Sequence, residues 1–277
     1  MTAPPPPQPA PTPTGAAPGA APGPAPGPAP GGVPGTALGL RCRARAKAEG
    51  PAPALAELRA GLGPGARPWG PGGHAVLPLA GAGTPGGAPV ATLEFASGDL
   101  GVWRDESRRD GAAGPWTAGV LWIRLGLTEQ LLRTAADYLA GRRVGGEVLA
   151  ETPSVRTVLG EAAADLLEAR LLLEHGADGG ASGTPAPPAG PAAAAAAAGP
   201  GASAHDPRPP GAAEPGSAAR AADVLVRAQR TALRLLGASG YLDDGPGRLA
   251  RAVDLLADVH PVAADPATGR PATEVSP

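Results

Sequence analysis

The stretch PWTAGVLWIRLGLTEQLLRTAADYLAGRRVGG, residues 115–146, decides how this chain folds. Leu121, Leu125, Thr128, Leu132, Ala135 and Leu139 recur at steps of three and four, while Arg124, Glu129, Arg133 and Asp137 fall between them. That spacing predicts a helix with one buried face and one wet face. The periodicity begins at Pro115, and Gly145-Gly146 is expected to close the element.

Working outward, the same grammar repeats. Thr152-Pro153 caps a second helix with Val155, Val158, Leu159, Ala162, Leu166 and Leu173 inward, stopping at His175-Gly176. A third is expected over Ser217–Leu236, with Ala221, Val224, Leu225, Ala228, Ala232, Leu235 and Leu236 inward, ended by Gly237. After Gly245-Pro246-Gly247 a fourth carries Leu249, Val253, Leu256 and Val259, and Pro261 forces His260 out of helical angles. Two short connections and one long one predict an all-α fold, an antiparallel four-helix bundle over 115–177 and 214–260.

Outside the bundle the composition changes. Gly 43 and Pro 38 make up more than a quarter of the 277 residues, the range of low-complexity chain. Residues 1–74 read as a disordered Pro/Ala/Gly-rich tail, with Leu55–Leu62 able to form a short helix, and residues 178–213 as a disordered insertion. Residues 261–277 read as a flexible tail. Between tail and bundle, residues 75–110 carry a small β remnant. Its two short strands are expected at Ala75–Leu79 and Val90–Phe95, the first confined to a sheet edge by Pro78.

Charge excludes several function classes. The net charge is -2, and the bundle segments carry no excess of arginine over acids, so neither offers the basic footprint that nucleic acid requires. Arg41, Arg43, Arg45 and Lys47 form the one basic cluster, read as solvated chain without a role. Cys42 is the single cysteine, which leaves no internal disulfide and suits the cytoplasm. No apolar run free of Pro and charge is long enough to span a membrane. His74, His175, His205 and His260 are too scattered for a metal set, and no nucleophile–base pairing is visible.

The order of residues across the bundle goes further. Arg124-Leu125-Gly126-Leu127-Thr128-Glu129 leading to Tyr138-Leu139-Ala140-Gly141-Arg142-Arg143-Val144-Gly145-Gly146 resembles the first helix of the C-terminal domain of flavin-dependent acyl-CoA dehydrogenases. Pro153 to Glu161 with Ala169-Arg170-Leu171-Leu172 is similar to that family's second helix. Leu236-Gly237-Ala238-Ser239-Gly240-Tyr241 resembles its Gln-x-x-Gly-Gly-x-Gly-Tyr turn, and Arg248-Leu249-x-Arg251 the Arg-Leu-x-Arg after it. Here Gly145 stands for the family's Phe, Arg234 for its Gln and Ala238 for its second Gly.

The resemblance implies a domain that binds FAD across a dimer interface and oxidises acyl thioesters between Cα and Cβ, on acyl-CoA or an acyl-carrier thioester. It implies cofactor contacts at Arg142, Gly146, Arg234, Gly237 and Gly240. A guanidinium can pair with the diphosphate, and glycine removes the Cβ that would block approach. Counting forward places His260 at the family's catalytic Glu; the alternative base position holds Pro115-Trp116-Thr117, and neither offers a carboxylate. The family's N-terminal helical domain is not recognisable in the 114 residues ahead of the bundle. Against catalysis, His260 also reads as a solvent-facing residue at a helix end. Two functions are therefore expected: an acyl-CoA dehydrogenase-like flavoprotein, or a non-catalytic bundle that forms a homo-oligomer or joins a full-length paralogue. Trp116, Trp122 and Tyr138 are expected to supply aromatic surface for that association.

Overall fold

The computed structural model describes residues 35–81, 85, 87–109, 114–179, 216–242 and 245–262. Residues 1–34 of the expected tail, almost all of the expected insertion and residues 263–277 lie outside them. The described chain is mostly helical, with two small antiparallel sheets.

Helix α3 (Pro115–Ala140) is the axis of the molecule. Helices α4 (Pro153–Gly179), α5 (Ser217–Leu236) and α6 (Pro246–Val259) pack around it. Leu121, Trp122 and Leu125 near the start of α3 share a cluster with Leu166, Ala169 and Leu173 late in α4 and with Ala221 to Ala228 early in α5. Leu131 and Ala135, late in α3, join Ala232 and Leu236 of α5 and Ala250 of α6. The four helices therefore run up, down, up and down, as the sequence predicts. Pro115, Pro153 and Pro246 each open a helix in its first turn, and Gly237 at φ 57 ends α5.

The wet face expected on α3 holds only in its second half, where Arg133 and Asp137 are exposed. Residues 119–128 are buried all round, Arg124 included. The cover comes from α1 (Thr36–Glu49) and α2 (Pro51–Leu62), both inside the segment expected to be a disordered tail. The hairpin turns on Gly50, whose N–H bonds the carbonyls of Arg45 and Ala46 at φ 98. Its helices contribute Leu38, Cys42, Ala46, Leu55 and Leu58 to the core. The composition misleads because its small residues are what allow the close approach. A Cβ on Gly126 would lie 2.3 Å from the carbonyl oxygen of Arg43, and one on Gly119 would strike Leu58.

The basic cluster is likewise not solvated chain. Arg41 pairs with Glu57 at 2.8 Å, Arg45 with Glu49 at 3.2 Å, and both Arg43 and Lys47 meet Glu129 of α3. Cys42 is enclosed beneath them, and burial pushes its thiol up to about 12.

The expected β piece is a three-stranded sheet. Strands β1 (His74–Pro78) and β2 (Ala91–Leu93) do not pair with each other; both pair antiparallel with β3 (Leu100–Arg104), which takes the centre. Pro78 lies on an outer strand, where a missing N–H is tolerated. Val76, Leu77, Leu100, Val102 and Trp103 join the core formed with α2, α3 and α6. Arg248 of α6 donates to the Glu94 carbonyl at 3.0 Å, and Gly70 sits on the backbone of Val259, so the sheet is tied to α6.

Candidate functional site

Five of the six residues implicated by the sequence lie at one end of the bundle, where α3 and α5 finish and α6 begins. Gly145-Gly146 does not terminate α3, which stops at Ala140. It forms the turn of a hairpin between β4 (Arg143–Val144) and β5 (Glu147–Val148). Both glycines have positive φ, 62 and 92, as a two-residue hairpin turn demands. The carbonyl of Arg142 accepts from the Leu149 N–H at 2.8 Å, which closes the hairpin base.

Arg142 is exposed, with its guanidinium 4.4 Å from the centre of the Tyr138 ring. One helical turn separates the two, so the stacking orients the cation without neutralising it. Arg143 donates to the Gly146 carbonyl at 3.1 Å. Arg234 is exposed in the last turn of α5, and its carbonyl accepts the capping N–H of Gly237.

The glycines divide by the reason they are needed. A Cβ on Gly145, Gly146 or Gly237 would meet nothing within 4 Å, so these positions require glycine for conformation and leave open space beside them. Gly240 is buried, and a Cβ there would press on Leu236 at 3.0 Å and on the Leu233 carbonyl at 3.2 Å. Its smallness serves the packing of its own turn, a short 3-10 helix over Gly237–Tyr241. Beside that turn Tyr241 and Leu242 stand out into solvent.

His260 lies at the other end, as the cap of α6, and the structure does not unite it with the other five. Its φ of -122 and ψ of 63 fulfil the expected break from the helix. The solvent-facing placement does not hold: His260 is 1% exposed, and neither ring nitrogen has a hydrogen-bond partner among the described residues. Beyond Pro261 the chain packs Val262 against the cluster of α3, α4 and α5. Desolvation pushes its pKa down to about 4, so the ring is neutral at physiological pH. Trp116, at the alternative base position, is also buried, as is Trp122, and neither offers the expected aromatic surface; Tyr138 alone of the three is half-exposed.

Sequence reasoning missed one buried charge. Arg124 is 2% exposed in mid-α3, and burial lowers its pKa to about 10 against the opposing pull of Asp254 and Asp258 on α6. Gln229 of α5 joins this layer, donating to Asp254 at 2.9 Å and to the Ala250 carbonyl at 3.2 Å. The signal was present in Val120 to Leu127, which is apolar on every side of Arg124, a pattern of helices covered all round. Among the described residues no group of His, Cys, Asp and Glu could hold a metal ion, and no helix is long and apolar enough to cross a membrane.

No curated protein matches the chain. A family model does, over residues 117–206, a span that takes in nearly all of α3 and the whole of α4. That family is described as acyl-CoA dehydrogenase, C-terminal domain. The antiparallel helical bundle agrees with that match, and residues 117–206 are similar to an acyl-CoA dehydrogenase C-terminal domain.

Proposed function

We propose that this chain is a helical subunit that joins a full-length acyl-CoA dehydrogenase paralogue and does not itself carry out α,β-dehydrogenation. The observation that supports this reading most directly is the state of His260. A base that removes an α-proton from an acyl thioester must present a lone pair to substrate. Both nitrogens of His260 are enclosed, and the residue stands where the resemblance calls for a carboxylate.

The opposite end of the bundle suits an interface role. Arg142 and Arg143 are exposed there, Arg234 stands on the same end, and open space lies beside Gly146 and Gly237. This residue set fits a diphosphate reached from outside the chain, since guanidinium donors pair with phosphate oxygens and no Cβ intervenes. Arg142 and the Gly237–Gly240 turn would hold the diphosphate of FAD seated in the neighbouring subunit, where the flavin supplies the electron-accepting chemistry. Acyl-CoA or acyl-carrier thioesters are then substrates of the paralogue.

Sedimentation of the purified chain with an FAD-loaded paralogue tests this, followed by flavin absorbance and acyl-CoA turnover. A heavier flavin-absorbing species is expected, with no turnover by the chain alone, and Arg142→Ala is expected to weaken the association. Turnover of acyl-CoA by the isolated chain would establish the catalytic reading instead. An unshifted paralogue at micromolar concentrations would remove the subunit reading.

A further inference from the structure

A groove of about 430 Å³ opens between α1, the second half of α3 and α4. Its floor is apolar, formed by Leu132 of α3 and by Leu159, Leu166 and Leu167 of α4. Arg43, Lys47, Arg133 and Arg170 stand around it, against a single acid, Glu129.

These cations are not equivalent. Glu129 is held by Arg43, whose Nε lies 3.0 Å from Oε1, and by Lys47, whose Nζ lies 3.3 Å from Oε2. That pair of contacts docks α1 on α3. Arg170 is engaged by Glu174 one turn on, at 2.7 Å. Arg133 is exposed and has no ion pair among the described residues, and Leu132 next to it and Ala136 about one turn on line the same groove. Leu167, also lining it, is 55% exposed, which leaves an apolar side chain uncovered on the α4 wall of the groove.

We infer that this groove binds a single-chain carboxylate, a fatty-acid anion, with its head group on Arg133 and its alkyl chain along α4. The excess of positive charge selects an anion, and the leucine floor selects a chain. From Leu159 to Arg170 the groove follows α4 for about 16 Å at 1.5 Å per residue, which an extended alkyl chain of about a dozen carbons covers. The volume falls within the range of about 300–1,000 Å³ of small-molecule sites. A docked helix about 10–12 Å across would need considerably more room. The inference does not rest on the subunit reading above, because the groove is lined by none of Arg142, Arg234, Gly237, Gly240 or His260.

Calorimetric titration of the full chain with dodecanoate, below its micelle-forming concentration, tests this site. Saturable binding at one site is expected. Acetate, which lacks the chain, and dodecyltrimethylammonium, which inverts the head-group charge, are each expected to bind at least about tenfold more weakly. Arg133→Glu is expected to weaken dodecanoate by about tenfold or more while Arg133→Lys retains most of the affinity. Both changes are at an exposed position, and circular dichroism verifies that the fold persists. Absence of saturable binding, or binding indifferent to head-group charge and to Arg133→Glu, would overturn the inference. Displacement of dodecanoate by an acidic amphipathic peptide that binds more tightly would assign the groove to a protein partner and overturn it equally.

Discussion

At the scale of a single residue, His260 shows how burial converts a plausible catalytic group into a pH-dependent weak point. Its folded pKa of about 4 lies below the ordinary value of 6.5, so the unfolded chain binds the extra proton first as pH falls. Stability is therefore complete above pH about 7 and declines as pH drops through 6.5 toward 4. Between pH 7 and pH 5 this one group is expected to remove about 2 kcal/mol, on the scale of 1.36 kcal/mol per pKa unit. Urea unfolding of wild type and His260→Leu at the two pH values measures it; the variant should lose about 2 kcal/mol less between them. Equal losses in both proteins would show that His260 is not the group responsible. Arg124 presents the same physics with the opposite outcome, because it stays charged at about 10. Asp254 and Asp258 partly offset its desolvation across the α3–α6 interface.

At the scale of an element, α3 is held by what its glycines leave out. Replacing a helical glycine with alanine ordinarily stabilises by about 1 kcal/mol through backbone entropy. At Gly126 the added methyl would lie 2.3 Å from the Arg43 carbonyl oxygen and 2.8 Å from the Ala46 Cβ, so α1 must move off α3. Overpacking of this kind costs about 1–3 kcal/mol and outweighs the propensity gain. Gly126→Ala is therefore expected to lower the thermal midpoint. Gly160→Ala, in α4 with nothing within 4 Å of its Cβ, should raise it. A rise for both would mean that the α1–α3 crossing is looser than its geometry.

At the scale of the whole molecule, α1 and α2 are part of the domain. They bury Leu38, Cys42, Ala46, Leu55 and Leu58 against Trp116, Val120, Ile123 and Leu127 of α3 and against the sheet. A chain lacking residues 1–62 would expose that side of α3, an apolar surface that a soluble domain does not tolerate. It is expected to lose cooperative thermal unfolding or to aggregate, as read by scanning calorimetry and light scattering. Retention of the full-length melting profile would show the bundle to be self-sufficient.

By itself the sequence determined the four bundle helices, the starts of three of them at Pro115, Pro153 and Ser217, the end at Gly237 and the antiparallel order. Those features are local, written in the 3.6-residue spacing of leucines and alanines and in the conformational limits of proline and glycine. The family resemblance was legible for a related reason, since it rests on residue order along the same helices. Tertiary structure alone decided the rest. Helix α1 has little amphipathic pattern, and its Ala- and Arg-rich sequence beside a Pro/Gly-rich stretch looks like a tail until α3 presents Gly126 to receive it. The burial of Arg124, the enclosure of His260 and the placement of β3 between β1 and β2 each depend on which segments meet across the core. Burial is a property of neighbours, so a pattern read along one helix locates its faces but not what covers them.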